Sequence, residues 1–459
     1  MDKAQIVICG AGIAGIATAY YLSKVGVREI LLVDEASPLS LTSSNSTEAY
    51  RNWWPDFDNA MVALSNRSID LMDDFAIKTA NIFRMNRRGY LYFTSQTDKI
   101  PSFCSSAETV SKLGGGPVRI RDEKSAASKY IPFFEDNFDN DINQSGADLF
   151  LDAELIHNYF PYISKDVKAA LHVRRAGWLS AQQLGMFLLN EARKQGVVFK
   201  SQRLVGVELS KGQVSGVYLE ENGKIGFLRT SLFVNAAGPL IGSIARLLDV
   251  NLPIYTELHQ KLICNDPLSV MPRNAPLLVW NDPQYLLFSS SERSAIEEEP
   301  ELRWLLEEFP SGLHTRPEGS GSSTAIVVLW AHHAPIIDPI WPLPEDPYHS
   351  EILMRGLAKM IPGAKQYIGN FPRPKLDGGY YTKTFENRPL IGKLPIEGAY
   401  IIGALSGFGI MTACAAGELL AAIIVGSDLP DYASAFEINR YSNLEYLKLI
   451  KNYVSDGQL

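Results

Sequence analysis

The stretch Gln5-Ile6-Val7-Ile8-Cys9-Gly10-Ala11-Gly12-Ile13-Ala14-Gly15 constrains this chain more than any other. An apolar strand candidate breaks into a glycine turn and then into an apolar-patterned helix. Gly10 suits the tight turn, Gly12 lets the backbone approach a phosphate without a Cβ in the way, and Gly15 allows close packing of helix on strand. Amides freed at the helix start then face a pyrophosphate. A lone G-x-G-x-x-G is weak evidence, but here the flanks agree. The helical pattern spans 14–25 and ends at Gly26, a second apolar strand covers 30–33, and Asp34 closes it with Glu35 alongside. An acid about 20 residues beyond the glycines is where ribose hydroxyls are held. NAD and FAD share this half-site, so the motif predicts a dinucleotide without naming it.

A chain of 459 residues exceeds one simple core, and two or three domains are expected, inserted or in tandem. Its 46% hydrophobic and 20% charged residues are those of an ordinary globular enzyme. The net charge of −8, with no long Lys/Arg run, argues against a nucleic-acid partner. The longest apolar run near the C-terminus, 419–425, falls far short of the ~18 residues of a transmembrane helix, so no membrane span is expected. Cys9, Cys104, Cys264 and Cys414 show no C-x-x-C spacing and predict reduced thiols. Neither a signal peptide nor a recognisable address in 456–459 is visible, and a cytoplasmic location is expected. The sequence leaves the oligomeric state open.

After Asp34, residues 37–47 are dense in Ser and Thr, with Pro38 at their head, and lead to Arg51 and Trp53-Trp54. A hydroxyl-rich loop ending in one cation and two indoles predicts a cofactor-facing segment. Met61, Leu64, Met72 and Phe75 at helical spacing predict an amphipathic helix, and 90–93 a strand. Gly114 to Pro117 and the acidic stretch 135–141 read as connections. A helix is expected over 184–192, a strand from 197, a hairpin from 204–209 and 214–219 across Lys211-Gly212, and a buried strand at 232–238. Between 252 and 371, β-like runs at 277–280, 285–288 and 325–330 and one helix at 350–361 predict a separate substrate domain on an antiparallel or mixed sheet. A strand at 399–402, a glycine-rich turn at 403–409 and a long helix of small and aliphatic residues at 410–425 then return to the first unit's character. His332-His333 with Asp338 is not read as a metal set, because adjacent histidines on a strand point to opposite faces; no metal is expected.

Taken in order, these pieces resemble the D-amino-acid oxidase superfamily of FAD enzymes, the group that includes sarcosine, glycine and dimethylglycine oxidoreductases. The matching segments are Gly10 to Asp34, the hydroxyl loop ending at Arg51, Gly177-Trp178-Leu179, Val234-Asn235-Ala236-Ala237-Gly238-Pro239, Asn387-Arg388-Pro389-Leu390-Ile391-Gly392 and Ser406-Gly407-Phe408-Gly409-Ile410-Met411. The resemblance implies an α/β architecture: a glutathione-reductase-like FAD-binding Rossmann domain plus a substrate domain with a mixed or antiparallel sheet. It divides the chain into 1–80, 150–250 and 372–440 for FAD, 81–149 and 251–371 for substrate, and a tail at 441–459. To FAD it assigns Gly10, Gly12, Gly15, Asp34, Glu35, Ser43, Ser44, Arg51, Val205, Ala237, Gly238, Gly403, Gly407, Phe408, Gly409 and Ile410. Trp54, Tyr381 and Arg388 are assigned to the substrate and Arg51 and Met411 to catalysis, while His259 is a catalytic candidate from its own place beside Gln260-Lys261 at the entrance to the substrate domain.

Three positions depart from the sarcosine-oxidase pattern. Gly379 stands in place of the cysteine that bonds covalently to flavin, so FAD is expected to be non-covalent. Trp54 stands in place of the carboxylate-gripping arginine, and Met411 in place of the lysine used for oxygen activation. The expected activity is therefore oxidation of a C–N bond in a small amine or amino acid by hydride transfer to flavin N5, with O2 or a quinone or carrier as acceptor. Two alternatives stay open: a 2-hydroxy-acid dehydrogenase with His259 as base, or a flavoprotein acting as an assembly or modification partner.

Overall fold

The computed structural model describes residues 3–121, 130–132, 144–319, 321–370, 372 and 374–451. The acidic stretch 135–141 and residues 456–459 lie outside the described residues.

The strand Ile6–Cys9 sits inside a six-stranded sheet of order Leu390–Lys393, Ala399–Gly403, Leu232–Asn235, Ile6–Cys9, Ile30–Asp34, Val198–Ser201. All pairs are parallel except the first, which explains the near-continuous apolar strands: a parallel sheet is covered on both faces. The helix Ile13–Lys24 is buried from Ile13 to Ser23, so its apolar residues run all round it. It packs on the helices Ala181–Lys194 and Gly409–Val425. Gly417 permits the latter contact, since a Cβ there would stand 2.8 Å from the Ala17 backbone.

A second, nine-stranded sheet runs Lys375–Lys383, Tyr255–Asn265, Ala325–Leu329, Leu313–Pro317, Leu277–Trp280, Tyr90–Thr94, Ala169–Val173, Ala147–Phe150, Val118–Arg121. It is antiparallel apart from two pairs. Its alternation separates two cores. Tyr90 and Tyr92 face the core that contains the first sheet's helices, whereas Leu91 and Phe93 face a second core closed by the helix His349–Met360. A ribbon of Ala49–Arg51 against Ala176–Trp178, with Arg51 opposite Ala176, carries the chain between the two units.

The sequence-based division differs from this in its boundaries. Ala169–Val173 and Lys375–Lys383, placed with the cofactor unit, belong to the nine-stranded sheet. Residues 285–288, read as a strand, have no regular structure; the preceding Gln284 makes an isolated bridge with Phe309. The hairpin gains a third strand, Lys224–Arg229, which is exposed except at Leu228 and so has no buried face for a pattern to mark. The glycine run overlaps a wide, π-type helical turn, Ser111–Gly115, where Gly114 takes a positive φ, and the tail contains a helix, Leu444–Lys451.

One feature of the large sheet sets an acid limit on stability. His172 is fully buried, its Nε2 2.9 Å from the Arg88 carbonyl and its Nδ1 2.7 Å from the Tyr130 hydroxyl. Burial, reinforced by Arg174, pushes its pKa down to about 3. The unfolded chain therefore binds the proton first as pH falls below about 6.5, and folding is penalised from there downward. We expect His172 alone to cost about 2 kcal/mol at pH 5 relative to pH 7. Urea unfolding at the two pH values checks this, and a His172→Gln variant that shows the same pH slope contradicts it.

Candidate functional site

The glycine turn is built by contacts that no other residue allows. Gly10 has φ +109°, and a Cβ there would lie 2.3 Å from the Ala236 carbonyl oxygen; one on Gly15 would lie 1.9 Å from that of Gly10. Asp34 accepts the amides of Ala11 at 2.7 Å and Ala36 at 2.9 Å, so the acid also fastens the turn. The hydroxyl loop closes over it, with the Ile13 amide donating to Ser43 Oγ at 3.0 Å.

These elements frame a cavity of about 720 Å3. Gly10, Gly12, Asp34, Glu35, Ser43, Val205, Ala237, Gly238, Gly403, Gly407, Gly409 and Ile410 line it, as does Tyr381. Four residues assigned to the cofactor do not. Gly15 serves the turn from beneath, Ser44 Oγ donates to Leu41 within its own loop at 3.0 Å, and Arg51 and Phe408 line a second cavity. The first cavity fits FAD: Gly10, Gly403 and Gly407 on its wall leave no room for a Cβ, the helix Gly409–Val425 opens toward it with amides that have no intrahelical partner, and the buried Thr382 hydroxyl on its wall has no protein hydrogen-bond partner. Asp34→Ala is expected to weaken FAD binding by about 1–3 kcal/mol. Fluorescence titration of the apoprotein measures it, and an unaltered affinity would remove Asp34 from the site.

The second cavity, about 550 Å3, meets the first at Tyr381 and Gly407, which border both. Tyr90, Tyr92, Trp53 and Phe408 give it aromatic walls; Arg51, Lys99, Lys383, His259, His314 and Met411 supply the rest of its chemistry. Arg51 is buried, its guanidinium 4.5 Å from the Trp54 ring and 5.6 Å from Phe408, with Nε donating to the Trp53 carbonyl at 3.2 Å. Tyr92 keeps a buried hydroxyl without a protein hydrogen-bond partner. Its neighbour in the cavity, His314, is held neutral, burial pushing its pKa down to about 4.

On one face of the paired strands Tyr255–Asn265 and Lys375–Lys383, four side chains form a unit. His259 stacks on Tyr381 with ring centroids 4.2 Å apart, and its Nε2 lies 2.9 Å from Glu257, which also receives Lys383 at 3.1 Å. Burial lowers the His259 pKa, keeping the ring neutral, and pushes the Tyr381 hydroxyl up to about 12. A carboxylate only accepts, so Nε2 carries the proton and Nδ1 keeps the lone pair.

The sequence-derived substrate set comes apart here. Tyr381 sits where the cavities meet, but Trp54 lines neither one: its indole N–H donates to Ser65 at 2.8 Å and its ring backs Arg51 and Phe408. Arg388 also lines neither. Its guanidinium is taken by Asp56 at 2.7 Å and Asp58 at 2.6 Å and lies 3.9 Å from the Phe57 ring. Sequence reasoning did not single out Tyr92, His314 or Glu257; the only signal available was the i, i+2 spacing of Tyr90/Tyr92 and Glu257/His259, which puts each pair on one strand face.

Among known proteins, residues 5–423 match the family described as DAO, FAD dependent oxidoreductase. Mitochondrial dimethylglycine dehydrogenase of Rattus norvegicus is 21% identical over 296 residues, 64% of this chain and 30% of that protein. Over 61% of this chain, the mitochondrial pyruvate dehydrogenase phosphatase regulatory subunit of Mus musculus is 23% identical, the match covering 28% of that protein. This chain thus spans about three tenths of the length of these curated relatives. L-proline dehydrogenase from P. horikoshii has the same fold, with a TM-score of 0.72 at 19% identity over 96% of this chain and 98% of that one. Glycine oxidase from Geobacillus kaustophilus follows at 0.71, with 14% identity over 95% and 99%. With the family match running through both sheets and both cavities, the chain belongs to the DAO family of FAD-dependent oxidoreductases.

Proposed function

We propose that this oxidoreductase removes two electrons from the C–N bond of a small amino acid or N-alkyl amine held in the second cavity. The observation that carries the reading is the shared border at Tyr381 and Gly407: a substrate in one cavity touches a cofactor in the other. Bound FAD supplies the acceptor for the hydride that leaves the carbon next to nitrogen. The chain's own residues bind and orient. Tyr90, Tyr92 and Phe408 enclose the aliphatic part, and the otherwise unpartnered Tyr92 hydroxyl takes a polar substrate atom. Arg51 and Lys383 draw a carboxylate or other anionic group. His259, with Nδ1 free of a proton, accepts the one a substrate ammonium sheds; water then adds to the imine and releases the amine fragment. The names of the relatives agree with this class: dimethylglycine dehydrogenase, proline dehydrogenase and glycine oxidase.

The same His259 geometry favours one rival, abstraction of a hydroxyl proton from a 2-hydroxy acid. Anaerobic addition of amines, amino acids and 2-hydroxy acids separates the two. Bleaching of the flavin absorbance by the nitrogen compounds alone supports the proposal, and bleaching only by hydroxy acids defeats it. FAD is held without a covalent bond, so acid precipitation is expected to leave all the yellow colour in the supernatant; colour in the pellet contradicts this. The charge that Met411 lacks is present in the same cavity on Arg51 and Lys383, so either O2 or a quinone carrier fits as acceptor. The four free cysteines suit a reducing, cytoplasmic setting; among the described residues, no helix is long and apolar enough to cross a membrane.

A further inference from the structure

Between the strand Ala325–Leu329 and the helix His349–Met360 the chain leaves the large sheet and runs beside the first half of the strand Tyr255–Asn265. The Leu258 amide donates to Pro335 at 3.2 Å, the Ile337 amide to Thr256 at 3.0 Å, and the Tyr380 hydroxyl is 2.9 Å from the Ile340 carbonyl. Trp341, 5.3 Å from the Tyr380 ring, reaches the wall of the cofactor cavity. At the base of this excursion its two ends meet. His332 from the outgoing end and Asp346 and His349 from the returning end bring one ligand atom each within 4.8 Å of one another.

The chemistry of these atoms is unusual for a structural cluster. His332 Nδ1 lies 3.2 Å from the Trp330 carbonyl, which can only accept, so Nδ1 carries the proton and Nε2 keeps a lone pair. That Nε2 is buried without a protein hydrogen-bond partner, and so is Nε2 of His349. The two rings lie 4.9 Å apart at 32°, and Asp346 stands 3.8 Å from His349 Nδ1. Phe309 and Trp330 pack against His332 from the protein side.

We propose that His332, Asp346 and His349 form a binding site for a divalent transition metal of the Zn2+ class, which clamps the two ends of this excursion together. Two imidazoles and one carboxylate make a set suited to Zn2+, and too poor in oxygen for Ca2+ or Mg2+. In a tetrahedral site with ligand bonds of about 2.0–2.2 Å, ligand atoms stand about 3.4 Å apart, so the side chains close on the ion by up to about 1.4 Å from their present spacing. The Trp330 carbonyl supplies the outer-shell hydrogen bond that orients a ligating histidine. Water completes the coordination. The sequence reading excluded a metal because it considered His333 and Asp338, whereas the fold substitutes Asp346 and His349.

The test uses the full-length, FAD-loaded protein, treated with chelator, dialysed, and titrated with Zn2+ at neutral pH while bound metal is counted by mass spectrometry. About one Zn2+ per chain at micromolar free metal is expected, with affinity falling at least about ten-fold in His332→Gln and in His349→Gln and unchanged in His333→Gln. Co2+ is a second probe that needs no variant: visible ligand-field bands of a nitrogen- and oxygen-ligated ion are expected in the wild type. No stoichiometric Zn2+, no Co2+ bands, or binding undiminished in both folded variants overturns the proposal.

Discussion

Replacing Arg51 with methionine is expected to cut the rate of flavin reduction by substrate about 10²–10³-fold, while leaving FAD content intact. The figure is that for removing one charge-stabilising donor from a water-poor site. Arg51 is buried within a cage of Trp54, Tyr90 and Phe408, so its charge is poorly screened by solvent and well fixed in direction. Arg51→Lys should recover only part of the rate, because a planar guanidinium stacks on the Trp54 and Phe408 rings and an ammonium does not. Anaerobic stopped-flow reduction provides the readout. If both variants reduce at the wild-type rate, Arg51 serves only to pack the aromatic cage and the proposed substrate orientation fails with it.

Arg388→Met is expected to destabilise the fold by about 3–5 kcal/mol without raising the KM for substrate. Removing one member of a buried ion pair leaves its partner's charge in the protein interior. Here that partner is Asp56, itself largely buried, while Asp58 is partly solvated and adds less. The Arg388 amide and carbonyl are also tied up, with Thr384 on both and Arg440 at 3.2 Å on the carbonyl. Arg388 thus pins the segment just beyond Trp53-Trp54 to the strand that enters the cofactor sheet at Leu390. Denaturant unfolding measures the loss. A variant of wild-type stability with a raised KM would restore the substrate role that the resemblance suggested.

The cofactor half of the protein was largely legible because its determinants are local. Gly10, Gly12 and Gly15 are demanded by backbone contacts within one strand-turn-helix unit, and Asp34 lies one strand away. The parallel strands, buried on both faces, announce themselves as apolar runs. The substrate half was read less well. Residues 285–288 are apolar yet irregular, since they pass beneath the helix His349–Met360 rather than joining the sheet; the Leu287 carbonyl there is held by Arg355 of that helix. The strand Lys224–Arg229 has little buried surface and so no periodicity to read. The same difficulty affects single residues. An arginine in Asn387-Arg388-Pro389 looks alike whether it meets a substrate or two aspartates 330 and 332 positions away.

What the sequence by itself determined is the dinucleotide half-site and the order of the pieces, because a glycine turn, its helix and its acid are neighbours along the chain and obey short-range geometry. Which side chains share a cavity was decided only by the tertiary structure. Tyr92, His259, His314, Tyr381 and Met411 come from five separate elements or connections, and they meet because the large sheet alternates its faces and lays one of them against the opening of the helix Gly409–Val425. His332, Asp346 and His349 meet for a similar reason, at the two ends of one excursion from the large sheet. Spacing along a chain carries no record of such closure, since its cost rises only slowly with loop length and many spacings serve equally well.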